Sequence, residues 1–170
     1  MIYIGIIWNT VNHLSGDILS DINELGEVVD FFNIDLSEQY SDFVRSIYEL
    51  DGIAEWKVNK KLESMDLPCK NVGIVFIKVD DSVKEFNEAK KKVVSVNIET
   101  LKKFIRSKYS QLISNYFFDN VFHMTDNAEE LANTLEVIRA FFPHVFEEYQ
   151  NRTEPQLTLR REKKKNENKQ

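Results

Sequence analysis

The residue types best placed to do chemistry in this chain lie in the segment Asn120-Val121-Phe122-His123-Met124-Thr125-Asp126. His123 closes a short apolar run and stands just before a helical pattern that extends to Phe142. A helix amino end gathers oxyanions, because its first N–H groups lack intrahelical partners and the helix dipole favours negative charge. An imidazole beside such a site can act as a nucleophile or carry a proton. Asp126 reads as the N-cap of that helix, and Glu129, three residues on, has the spacing of a capping box. The alternative role for His123 is structural, as a satisfied side chain between apolar neighbours.

Other polar positions carry two readings each. Arg106 shares a predicted helix with Lys102 and Lys103, either as an anion clamp or as one cation of a solvated face. Tyr48 falls on the apolar stripe Val44–Ile47–Tyr48, so packing stands beside any role for its hydroxyl. Trp8, at a strand end, reads as a packing residue rather than a stacking platform for a base. His13 belongs to no pattern, and His144 follows Pro143 at the end of the last helix, where a cation complements the dipole. No set of His, Cys, Asp and Glu has metal-ligand spacing, and the five glycines are too dispersed to form a phosphate loop.

The elements that must position these residues alternate between strand and helix. Residues 2–8 form a dense apolar run, the mark of a strand buried on both faces. Ser15 opens a helix carried by Ile18, Leu19, Ile22 and Leu25 and stopped at Gly26. A second strand follows over 28–34, a helix from Ser37 to Leu50, a weaker helix over 53–64, and the clearest strand over 72–79. Helices are expected over Ser82–Lys92 and Ile98–Arg106, then a short strand Val121–Met124 and a helix Ala128–Phe142 ended by Pro143. This order predicts an α/β (α+β) sandwich: one four-stranded sheet covered by helices, with the split β-α-β ferredoxin-like plan as its simplest topology.

Composition sets the outer bounds. A chain of 170 residues with 42% hydrophobic and 29% charged side chains is that of one ordinary globular domain. The single Cys69 has no thiol partner for a disulfide, and the apolar opening is too short to span a bilayer and lacks the basic start of a signal peptide. A cytoplasmic protein is the expectation. The net charge of −6 is unevenly spread: residues 151–170 carry about +4, leaving about −10 on residues 1–150. An acidic body argues against nucleic acid as the main partner, except through the basic tail. Residues 1–150 are expected to form the domain and 151–170 a charged, disordered end.

Over residues 2–142 the chain resembles the nucleoside diphosphate kinases in element order and in short motifs at similar spacings. Gly16-Asp17-Ile18-Leu19 takes the place of that family's Gly-Glu-Ile-Ile helix start, and Leu36-Ser37 with Tyr48 takes that of its next helix. Phe104-Ile105-Arg106-Ser107 echoes Thr-Ile-Arg-Gly, and Asn120-Val121-Phe122-His123-Met124-Thr125-Asp126 partly matches Asn-x-x-His-Gly-Ser-Asp. The resemblance implies phosphoryl transfer from a nucleoside triphosphate such as ATP through a phosphohistidine at His123. It implies Arg106, Tyr48, Lys90 (with Lys91 or Lys92 as alternatives in register) and Thr125 on the nucleotide or its phosphates, and Asn120 at the sugar. It also implies Mg²⁺ carried by the nucleotide and a homo-oligomer.

Three departures fall on chemistry. The family's Ile-Lys-Pro-Asp loop is Ile7-Trp8-Asn9-Thr10 here, and losing one charge-stabilising contact typically costs roughly 10²–10³ in rate. Met124 replaces the glycine after the histidine. Thr134 stands where the family has the glutamate that orients the imidazole. Two functions are therefore carried forward: a divergent nucleotide-dependent phosphotransferase, and a catalytically silent nucleotide-binding or protein-interaction module on the same fold.

Overall fold

The apolar opening of the chain becomes β1 (Ile2–Ile7), buried at every position as a strand covered on both faces must be. In the computed structural model, which describes residues 1–117 and 119–153, β1 leads to α1 (Ser15–Leu25), β2 (Glu27–Asp35), α2 (Tyr40–Leu50), α3 (Glu55–Ser64) and β3 (Asn71–Lys78). A hairpin of β4 (Lys84–Asn87) and β5 (Lys92–Ser95) follows, then α4 (Val96–Ser110), β6 (Phe122–Met124) and α5 (Ala128–Phe141). The chain divides into two compact units, 1–137 and 138–170. Among the described residues, no helix is long and apolar enough to cross a membrane.

The main sheet has the order β2-β3-β1-β6 with every neighbouring pair antiparallel, which is the expected ferredoxin-like plan. Side chains alternate across a strand, so register decides which residues share a face. Tyr3, Ile7, Val75, Ile77, Phe122 and Met124 pack with Ile18 and Ile22 of α1 and with Ile98, Leu101 and Ile105 of α4. His123 sits between Phe122 and Met124 and pairs with Ile6, so it belongs to the opposite face. On that face Trp8 meets two side chains of α2: Phe43 at 6.1 Å between ring centroids and Tyr48 at 5.7 Å. Close packing of β3 on β2 and the β1–α1 connection depends on Gly73, where an added Cβ would lie 2.6 Å from Phe31 and 2.9 Å from Asn12 Oδ1.

The helix expected over Ser82–Lys92 is instead the β4–β5 hairpin, with Phe86 opposite Val93. Val83, Phe86 and Ala89 recur every third residue and imitate a helical stripe. The turn chemistry overrides that pattern: Asn87 Oδ1 accepts from the Lys90 N–H at 2.9 Å, and Lys91 takes a φ of +52°. Ser95 then caps α4, its hydroxyl accepting from the Ile98 N–H at 3.4 Å.

The cap of α5 is also displaced. Asn127 Oδ1 accepts from the Glu130 N–H at 2.8 Å, and Glu130 Oε2 accepts from the Asp126 N–H at 3.1 Å. The capping pair is therefore Asn127 with Glu130, one residue beyond the expected Asp126 and Glu129, and Asp126 is released for other contacts. In the unit 138–170, residues 143–153 are helical, with Pro143 at the first position, where its missing N–H costs nothing. Pro143 thus ends one helix and begins another, and His144 lies in a first turn instead of a last one. Arg152 lies in this helix, while 154–170, most of the basic tail, fall outside the described residues.

Candidate functional site

A cleft of about 560 Å³ opens beside β6, within the size range of small-molecule sites. Its lining brings together His123 of β6, Tyr48 of α2, Lys102 and Arg106 of α4, Lys90 and Lys92 of the hairpin, and Asp126 and Glu130 at the start of α5. The hairpin, where the sequence pattern predicts a helix, thus delivers two cations to the site.

His123 is 8% exposed and meets the Tyr48 ring edge to face, with centroids 6.1 Å apart and planes at 79°. Burial drives its pKa well below 6.5, and Arg106, Lys102 and Lys61 add to that effect against the opposing charge of Asp126. The imidazole is therefore neutral at physiological pH, with a lone pair available. Thr134, eleven residues after His123, is buried at 2% exposure, and the described ring contact of the imidazole is the one to Tyr48.

Arg106 crosses from α4 to the end of the sheet. Its Nε donates to Phe122 O at 3.0 Å, and its Nη1 lies 3.4 Å from Asp119 Oδ2. A guanidinium offers five N–H donors, so these contacts use only part of its capacity. Lys90, Lys92 and Lys102 converge on Asp126, at 3.5, 3.3 and 3.3 Å. Glu99 joins them, 2.6 Å from Lys90 and 3.2 Å from Lys102. Burial disfavours the Asp126 carboxylate, but Glu130 and these three lysines hold its pKa well below the usual range. Glu130 moves the other way, pushed up to about 8 by burial and by Asp126 beside it. At neutral pH Glu130 therefore keeps its proton, and the cleft's cations and anions nearly balance.

Of the positions singled out in the sequence, His123, Arg106, Tyr48 and Lys90 line the cleft, with Lys92 as a second cation from the same hairpin. Asn120 and Thr125 do not line it. Asn120 is fully buried and donates from Nδ2 to Ser64 Oγ and Asn115 O, both at 3.0 Å, bracing the loop before β6. Thr125 Oγ1 accepts from the Ile4 N–H at 3.1 Å, fastening the end of β6 to β1. Tyr48 contributes its ring. Burial raises its hydroxyl pKa well above 10, and the hydroxyl faces the Trp8 indole N–H without completing a hydrogen bond. Trp8 is fully buried and fills the interior behind Tyr48.

Two lysines, Lys102 in the cleft and Lys61 behind Tyr48, carry sequence signals that chemistry-first reading passes over. Lys102 lies on the same buried side of α4 as Ile98, Leu101 and Ile105, and Lys61 lies on that of α3 with Val58. A lysine in an apolar stripe is costly to bury unless it is compensated.

No protein-family model matches the chain, and no curated protein is similar to it in sequence. Solved structures do match it. One is a transition-state mimic of nucleoside-diphosphate kinase from Borrelia burgdorferi with bound vanadate and ADP, 13% identical, with a TM-score of 0.50, covering 81% of this chain and 85% of that one. Another is the Aquifex aeolicus nucleoside diphosphate kinase, 12% identical, with a TM-score of 0.49, covering 81% of this chain and 93% of that one. The chain has a nucleoside diphosphate kinase-like fold: a four-stranded antiparallel sheet with helices packed on it.

Proposed function

We propose that this protein is a divergent nucleotide-dependent phosphotransferase that accepts the γ-phosphoryl group of a nucleoside triphosphate on His123. One observation carries the reading: a neutral imidazole forms part of a cleft whose other walls hold Arg106, Lys90, Lys92 and Lys102. A ring-nitrogen lone pair forms the N–P bond as the P–O bond to the β-phosphate breaks. The nucleoside diphosphate leaves with the electron pair, and a second diphosphate takes the phosphoryl group by the reverse step. Catalysis of this kind is mostly alignment and charge stabilisation on the equatorial oxygens, a task suited to Arg106 and the lysines. Met124 beside the imidazole lacks glycine's conformational freedom.

Mg²⁺ enters as part of the nucleotide substrate. Among the described residues no group of three His, Cys, Asp or Glu is arranged to hold a metal, and Asp126 is already taken up by lysines. The nucleotide phosphates would carry the ion.

A second reading has its own support. Trp8 lies in the interior, where the resemblance calls for a phosphate-binding lysine, and the lysines of the cleft are already neutralised by Asp126 and Glu99. Both features favour a silent nucleotide-binding module. Incubation with γ-labelled ATP and Mg²⁺ separates the two. An acid-labile, base-stable label that vanishes in His123→Asn is the result expected of the transferase. Thermal stabilisation by nucleotide without label supports the silent module. A folded protein that shows neither effect with any nucleoside triphosphate sinks both.

A further inference from the structure

We propose that Lys61 is a positioning residue for His123, acting through the ring of Tyr48. Lys61 lies on α3, three residues after Val58, on the side of that helix turned to the interior. It is 1% exposed, and its Nζ stands 3.7 Å from the centroid of the Tyr48 ring. A desolvated ammonium over an aromatic face is the strong form of the cation–π contact. The same ring meets His123 edge to face at 6.1 Å and Trp8 at 5.7 Å. Tyr48 is thus fixed by three partners, and the nucleophile's orientation rests on a ring held in place by a buried cation.

The cation also acts on the imidazole directly. Arg106 and Lys102 of α4 and Lys61 of α3 all disfavour a proton on His123, and Asp126 after β6 favours one. Asp51, Asp119, Lys90, Lys92 and Glu130 line the same cleft. Lys61 itself feels Asp119 and Asp51 as stabilising charges and Arg106 as a repelling one. A methionine would fill the same slot and keep most of the packing of the stem, so the substitution removes the charge and the polar contacts of the amine while keeping the packing. The inference deepens the reading of His123 as phosphoryl acceptor and rests on it for its purpose, but its physical content holds without nucleotide.

The experiment is an NMR titration of the His123 imidazole in ¹⁵N-histidine-labelled full-length protein, comparing wild type with Lys61→Met, Lys61→Arg and Tyr48→Leu. Lys61→Met is expected to raise the midpoint by roughly half a unit or more, and Lys61→Arg to leave it near that of wild type. Tyr48→Leu, which keeps the charge and removes the ring between, is expected to release the imidazole from its fixed orientation, read as averaged NOE contacts from its ring protons. A folded Lys61→Met protein whose imidazole titrates where the wild-type ring does, or stays unprotonated over the same range, overturns the proposal. So does a Tyr48→Leu protein whose imidazole keeps the wild-type NOE contacts and a single orientation. No nucleotide is present, so a shifted midpoint in a protein that never acquires a phosphate label keeps the positioning role and removes the transferase alone.

Discussion

Lys102 and Asp126 face each other at 3.3 Å with side chains only 5% and 3% exposed. Two lysines from the hairpin approach the same carboxylate from the more open side of the cleft. Attraction between a buried pair repays desolvation only when the geometry is good and the remaining polar atoms are satisfied. Here Glu99 takes a further Lys102 contact and Asn127 Nδ2 donates to Asp126 Oδ1 at 3.0 Å. This pair ties α4 to the start of α5, and the floor of the cleft depends on it.

Asp126→Asn should therefore destabilise the fold by about 3 kcal/mol, the low end for breaking a buried pair, since Glu99 still serves Lys102. The folded-state pKa of Asp126 is depressed, so its contribution is present above the unfolded value near pH 4 and is lost as pH falls through the folded value. Urea unfolding from pH 7 down to pH 3 should show a shallower acid loss in the variant than in wild type. Parallel acid limbs would show that the pair contributes nothing.

Glu130 has the opposite sign. Its pKa, pushed up to about 8 from an ordinary 4.5, stabilises the fold at low pH, and that contribution disappears as pH rises through 8. Glutamine imitates the protonated carboxyl and can still accept from the Asp126 N–H. Glu130→Gln should match wild type near pH 4 to within about 0.5 kcal/mol and become progressively more stabilising relative to it as pH rises from 4.5 to 8. Thermal melts at pH 4 and pH 8 test the divergence.

Burial pushes the Lys61 amine down to about 7, with Asp119 opposing. Between pH 7 and the unfolded value near 10.5 the unfolded chain binds more protons, so stability rises with pH across that window. Lys61→Met removes the penalty. Its melting temperature should exceed that of wild type by a few degrees at pH 7, a shift on the order of 1 kcal/mol for a domain of this size. The gain should fade toward pH 10. A variant melting below wild type at pH 7 would show that the ammonium contributes net stability through Tyr48.

The two central strands were legible because they bury both faces: Ile2–Ile7 and Val72–Ile77 announce themselves by density of apolar residues alone. The hairpin was not legible, because Val83, Phe86 and Ala89 imitate a helix and only the Asn87–Lys91 turn chemistry contradicts it. His123 was findable by its motif, and its face follows from its parity with Phe122. The carboxylate–lysine network was hidden, because Asp126, Lys92 and Lys102 come from three elements brought together only by tertiary packing. Asn120 and Thr125 match the motif by spacing, yet packing spends them on the loop and on β1.

The pH profile of His123 labelling follows from its burial. An exposed histidine would lose nucleophilicity as pH falls through 6.5. Here burial first, and then Arg106, Lys102 and Lys61, hold the folded-state pKa well below that value. Protonation of the ring should therefore not limit phosphate transfer anywhere between pH 8 and 6. Lys61, which titrates near pH 7, lies behind the Tyr48 ring and does not line the cleft. Labelling rates measured at saturating nucleotide should therefore stay level as pH drops from 8 to 6. A fall with a midpoint near 6.5 would show an imidazole open to solvent, at odds with a ring that is 8% exposed beside Tyr48.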